Sequence, residues 1–148
     1  MYYLATQIIK KWEGFSPKAY LCPANVWTIG YGNTRYVNGV KVKKGDTISE
    51  QDAQILLDYF VISFAQGLKK LIKVELNQNQ FNAILSFVYN IGMNKFSSST
   101  MLKLINENKL NEASLEFAKW NKASGKVLNG LIARRKDEES LFNSPTGH

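Results

Sequence analysis

The sequence predicts an α+β fold in which one N-terminal helix and a small antiparallel sheet stand beside a mainly helical lobe. Three observations carry this reading. Leu4, Ile8, Ile9 and Trp12 recur at helical spacing near the start. Over residues 18–42 the pattern changes to aromatic and β-branched residues broken by Pro23, Gly30, Gly32 and the Asn38-Gly39 pair, which is strand and turn chemistry. Beyond Ser49, apolar residues return to helical periodicity and keep it to Phe142.

Each element has its own signal. The first helix is expected over residues 3–13, stopped by Gly14. The sheet follows, with Asn38-Gly39 between Val37 and Val40 as its hairpin turn. At residues 47–52 a second helix opens, because the Ser49 hydroxyl can accept a free backbone N–H and Asp52 sits in the positive first turn. Ile55, Leu56, Tyr59, Phe60 and Leu68 continue its apolar positions, with a weak point at Gly67, over a length that could link two lobes. After Asn77, the run Phe81, Ile84, Leu85, Phe87, Val88 and Ile91 is the most apolar helix and the expected centre of the larger core, ending at Gly92. Further helices are expected at about 99–106, 111–121 and 129–142, and residues 144–148 read as a frayed tail.

The 148 residues suit one domain, able to bury roughly two-thirds of its unfolded surface without staples. Within a single domain 1–148 we expect a small β-containing lobe at about 14–48, a linking helix at about 50–74, and a helical lobe at about 75–143 completed by residues 1–13. The one cysteine, Cys22, excludes an internal disulfide and suits a reducing compartment. One His and one Cys cannot supply a structural zinc site, so no metal or other cofactor is expected. No apolar run approaches the roughly 18 to 20 residues of a membrane span, and the N-terminus lacks the pattern of a signal peptide, so stable membrane insertion is not expected. A formal charge of +7 favours an acidic polymer, whether nucleic acid, anionic membrane or cell wall. The basic residues are scattered, and Arg134-Arg135-Lys136 precedes Asp137-Glu138-Glu139, which reads as an ion-paired helix face rather than a nucleic-acid patch.

The segment WEGFSPKAYLCPANVWTIGYGNT, residues 12–34, concentrates the chemistry. Glu13 ends the first helix, where exposed carbonyls and the macrodipole disfavour a negative charge, and aromatic cover would add desolvation in the same direction. Such a carboxyl is a candidate general acid. Thr28 lies between Trp27 and Ile29, so strand alternation turns its hydroxyl to the face opposite theirs. Gly30 and Gly32 permit close backbone approach by a ligand or a bend in the sheet.

The pattern Glu13-x8-Cys22-x5-Thr28, with TIGYGNT, QNQFNAILSFVYNIG, residues 96–100, EFAKW and GLIARR in the same order, resembles the phage-type lysozyme (endolysin) family over nearly the whole chain. The resemblance implies a lysozyme-like fold with a cleft between its lobes. It implies cleavage of the β-1,4 bond between N-acetylmuramic acid and N-acetylglucosamine in peptidoglycan, causing host lysis. Glu13 would be the acid, Cys22 would take the second catalytic position, and Thr28 would orient water. Tyr31, Gly32, Asn33, Phe96 and Asn129 would line the sugar site, although Asn129 could equally be a helix N-cap. Aspartate is commoner in that family at the position of Cys22. A thiol is mostly neutral at neutral pH, so Cys22 is open as weak base and water anchor, as nucleophile, or as placeholder. The resemblance further implies a monomer, no nucleic-acid partner, and accumulation in the host cytoplasm until a holin-like permeabilising protein admits it to the periplasmic wall. A catalytically silent peptidoglycan-binding module of the same fold is the alternative.

Overall fold

The computed structural model describes residues 1–123 and 125–145. Helix α1, Tyr3–Glu13, ends at Gly14, whose φ of 70° reverses the chain into the antiparallel pair β1, Ser16–Leu21, and β2, Trp27–Gly30. The Asn38-Gly39 turn forms, yet it closes only a single bridge between Arg35 and Lys41. Val37 and Val40 stay half exposed, so no buried face extends the ladder. A small core of Ala19, Ile29 and Val42 lies under this region, flanked by Trp27, Tyr36 and Ile48.

Helix α2, Glu50–Leu71, starts as its sequence demands, with the Ser49 hydroxyl accepting from the Asp52 amide at 3.0 Å. It runs unbroken through Gly67, where the missing side chain makes room for the Met93 methyl. The helix stops three residues short of the expected 74. The Asn106 side chain accepts from the Lys73 amide and donates to the Leu71 carbonyl, satisfying that end. Helix α3, Gln78–Ile91, carries a full capping box between Asn77 and Gln80, and every residue from Asn82 to Val88 is buried. It packs against α1, α2 and the last helix, and is the centre of the larger core.

A short helix α4, Met93–Ser97, went unseen in the periodicity because five residues carry too few repeats. Helix α5, Thr100–Asn106, is capped by Ser99, and α6, Leu110–Glu116, gives way to a tight turn at Phe117–Lys119 rather than continuing to 121. A small hairpin follows, β3, Lys122–Ala123, against β4, Lys126–Val127. Helix α7 spans Asn129–Phe142. Of the expected frayed tail, Ser144 and Pro145 are held by the Asn79 amide, while Thr146, Gly147 and His148 lie outside the described residues.

Two clasps fix α1 on the helical lobe and so place its last residue. The Ala5 amide donates to the buried Asn82 side chain at 3.0 Å. At the other end, Asp137 of α7 accepts from the Trp12 indole and the Lys11 ammonium, both at 2.8 Å.

Candidate active site

Glu13 occupies the last turn of α1, and its carboxyl rests directly on Gly32. A Cβ on Gly32 would stand 2.9 Å from Glu13 Cδ and closer still to Oε1. The glycine therefore serves the protein's own acid, where the sequence allowed for a ligand. Arg134 of α7, itself 3% exposed, donates from Nη1 to Glu13 Oε2 at 2.7 Å. The helix end and aromatic cover expected from sequence are thus joined by a guanidinium reaching Glu13 from a distant helix.

The arginine run was expected to be an ion-paired helix face, and pairing is present: Arg134 and Arg135 both meet Glu138 at 3.2 Å. That face is buried, however, and it ends on Glu13. A charge run at i, i+3 and i+4 looks the same in sequence whether it faces water or core; the preceding GLIA was the one signal of burial.

Across from Glu13, Tyr20 stands opposite Thr28 in the β1–β2 register, and Cys22 begins the connecting loop. Burial raises the Tyr20 phenol above its ordinary pKa, and the charges of Glu13 and Cys22 add to the shift. Tyr20 thus lies within electrostatic reach of both Glu13 and Cys22. At Cys22 burial acts upward, but hydrogen bonding from the loop backbone at Val26 and Ala24, the Thr28 hydroxyl and its own backbone amide outweighs it. The thiol is thus held below its ordinary value. The Thr28 hydroxyl has one proton and two acceptors in reach, the Val26 carbonyl at 2.9 Å and the Cys22 sulfur, and can turn that proton to either. In either arrangement only its lone pairs remain for a water.

The remaining expected sugar contacts are redistributed. Phe96 is fully buried, edge-on to Phe87, and is a core residue rather than a cleft aromatic. Tyr31 is 6% exposed, with its ring packed on Phe15 and its carbonyl accepting from the Tyr89 hydroxyl at 2.8 Å; it too belongs to the core. Asn33 is also buried and donates to the Tyr89 oxygen at 2.9 Å, where it lines a hollow of about 180 Å³ with Gly32, Arg35, Phe60 and Phe64. Asn129 is exposed at the first position of α7, and Leu128 occupies the cap position, which corrects the N-cap alternative. A hollow of about 680 Å³ lies elsewhere, between Tyr36, Val40, Asp46 and Ile55, and contains none of Glu13, Cys22 and Thr28. Tyr20 and Arg134 are the residues beside Glu13 that sequence reasoning missed. Their signals were the i, i+2 relation of Tyr20 to Cys22 and the apolar residues before Arg134.

A helix-borne carboxyl seated on a glycine of the turn after β2, with a helical lobe gripping it from behind, defines a lysozyme-like protein. The comparisons carry the assignment further. The family model described as phage lysozyme matches residues 10–138. An endolysin of Acyrthosiphon pisum secondary endosymbiont phage 1 is 45% identical over 141 residues, covering 93% of each chain. The endolysin of Bacillus phage B103 is 43% identical over 137 residues, 91% of this chain and 51% of that one. The chain thus spans about half the length of the Bacillus phage relatives it matches, and over nine-tenths of the endosymbiont phage endolysin. Among solved structures, the muramidase domain of SpmX from Asticaccaulis excentricus superposes with a TM-score of 0.83 at 33% identity, covering 95% of both chains. This chain belongs to the phage lysozyme family.

Proposed function

We propose that the chain is an endolysin that hydrolyses the β-1,4 bond between N-acetylmuramic acid and N-acetylglucosamine of peptidoglycan, acting as one domain across the junction of sheet and helical lobe. The observation that carries this reading is the seat of Glu13, bounded by Gly32 and Arg134 and facing the Tyr20, Cys22 and Thr28 side of the hairpin.

The chemistry follows from the hydrogen bonds. A guanidinium has donors only, so Glu13 Oε2 must present a lone pair to Arg134 and the transferable proton resides on Oε1. That proton passes to the leaving glycosidic oxygen as its bond to the anomeric carbon breaks. Water adds to the carbon, oriented by the lone pairs of Thr28, and gives up a proton to Cys22. Hydrogen bonding holds the thiol below its ordinary value, the direction that proton acceptance by the sulfur requires. The positive net charge draws the protein to the anionic wall. The enzyme works as a monomer and accumulates in the host cytoplasm until a holin-like partner opens the path to the wall. Among the described residues no helix is long and apolar enough to cross a membrane.

Clearing of outer-membrane-stripped Gram-negative cells, with reducing-end release from isolated sacculi, tests the reading. Glu13→Gln is expected to remove nearly all turnover while the melting temperature stays close to that of the unmodified chain, and retention of more than about a tenth of kcat would reject the acid role. Replacing Cys22 by Asp should preserve turnover and by Ser should not. Equal rates for Cys, Ser and Asp would reduce the residue to a space-filler.

A further inference from the structure

Behind Glu13 lies a buried polar network that proton transfer itself does not require. Arg134 distributes three N–H groups to three elements: Nη1 to Glu13 on α1, Nη2 to the Ser86 carbonyl of α3 at 3.0 Å, and Nε to Glu138 on its own helix at 3.2 Å. Glu138 is fully buried. Its Oε2 also accepts from the Ser86 hydroxyl at 2.7 Å, and its Oε1 faces Arg135 Nε at 3.2 Å. Arg135 is anchored in turn by the Asn90 side chain and the Phe87 ring, 4.9 Å away. Burying such charges is a weak source of stability, since apolar residues of the same volume often serve a core at least as well. What the arrangement does supply is a fixed direction for one guanidinium.

We propose that Glu138, supported by Ser86, is a positioning residue for the glycosidase reaction. Through Arg134 it fixes which Glu13 oxygen is free to deliver a proton, and it balances the cation behind that acid. The proposal rests on the reading of Glu13 as general acid. Its logic is electrostatic as well as geometric. With Glu138 neutralised, Arg134 and Arg135 leave two uncompensated positive charges behind Glu13, which favour the carboxylate over the acid. The other titratable groups facing Glu13 are Tyr20 from the hairpin, Tyr89 from α3 and, beyond Arg134, Arg135 from α7. Facing Glu138 are Arg134, Arg135 and the Ser86 hydroxyl. Burial holds the Glu138 carboxyl above the usual carboxylate range, against the downward pull of Arg135, Arg134 and Ser86. The effect of removing that charge is largest at the basic end of the pH range, above the raised Glu138 titration, where the carboxyl is ionised.

The test compares the unmodified chain with E138Q and S86A on isolated sacculi, measuring kcat and KM from about pH 4 to about pH 9, with circular-dichroism melts of each protein. E138Q should lower kcat on the order of 10- to 100-fold, as misdirected catalytic groups do, while KM stays within about twofold. The basic limb of its kcat profile should move to lower pH. S86A, a replacement that helices tolerate, should move both quantities the same way by less. Folded E138Q with unmodified kcat and basic limb overturns the proposal, as does a loss of rate that disappears when both proteins are assayed well below their melting temperatures. If E138Q does not fold, S86A decides: unchanged kcat and basic limb overturn the proposal. Absence of turnover in the unmodified chain overturns the acid reading and this proposal with it, whereas turnover with no effect in either variant overturns this proposal alone.

Discussion

Replacing Gly32 by alanine separates the proposed catalytic seat of Glu13 from ordinary backbone strain. Gly32 has φ of 81°, a left-handed conformation that costs an L-residue roughly 1–2 kcal/mol. Gly39, in the Asn38-Gly39 turn, has φ of 86° and the same penalty. The two differ in surroundings. Nothing lies within 4 Å of a Cβ on Gly39, whereas at Gly32 that atom would sit 2.9 Å from Glu13 Cδ. Ordinary contact begins at about 3.5 Å, so the carboxyl must retreat by more than half an ångström, and Arg134 opposes the movement. Both substitutions should therefore lower stability by about 1–2 kcal/mol, or roughly 2–8 °C in melting temperature for a chain of this size. Only Gly32→Ala should also depress kcat, by about 10- to 100-fold, because the acid no longer meets its bond in line. Thermal melts and sacculus turnover, run side by side on both variants, read the two effects separately. A Gly32→Ala enzyme with kcat within about twofold of the unmodified chain would refute the seat; equal loss in Gly39→Ala would show that strain alone is responsible.

Phe96→Ala should cost about 3–5 kcal/mol by leaving a cavity against Phe87, with KM unchanged; a raised KM at near-normal stability would return Phe96 to the sugar site. The Cys22 thiol should alkylate with a midpoint below that of a reference cysteine peptide, and Thr28→Val should raise that midpoint; an unshifted midpoint would remove Thr28 from the sulfur's environment. The Lys43 amide and then the Tyr36 hydroxyl hold Asp46 below the usual carboxylate range, while burial and Asp46 push the Tyr36 phenol up to about 12. A depressed folded-state value means that the stabilisation is complete above the unfolded value, about 3.9, and is lost as pH falls through the folded one. Tyr36→Phe should accordingly flatten the acid side of the curve of melting temperature against pH, and an unaltered curve would deny the Tyr36 contribution.

Much of the fold was legible because helix signals are local. The Ser49 cap, the capping box at Asn77 and Gln80, and Gly14 and Gly92 as helix ends all act within four residues of their targets. Where an end depends on a distant side chain, sequence fails: α2 stops at Leu71 because Asn106 reaches it from α5. The site divides the same way. Glu13, Cys22 and Thr28 belong to one short segment, and a resemblance could name them together. Arg134 lies 121 residues from the carboxylate it holds, inside a charge run whose burial no periodicity announces. Tyr31 and Phe96 were misjudged for the complementary reason. An aromatic beside a motif can face sugar or core, and the Tyr89 hydroxyl on the Tyr31 carbonyl and the Phe87 edge on Phe96 decide for core here.

The consequence is that the acid belongs to no single lobe. Glu13 is carried by α1, which Asn82 and Asp137 clasp to the helical lobe; it leans on Gly32 from the turn after β2; and its second oxygen is held from α7. A displacement of the sheet relative to α7 would open one of these contacts while tightening another, so the carboxyl keeps its aim only while both sides stay packed. Core residues at that junction, Tyr31 against Phe15 and Tyr89 beneath the Tyr31 carbonyl, therefore govern the acid without touching it. In this architecture packing and acid placement are one mechanical problem, which is why a glycine's missing methyl group is as much a part of the site as the carboxyl that fills its space.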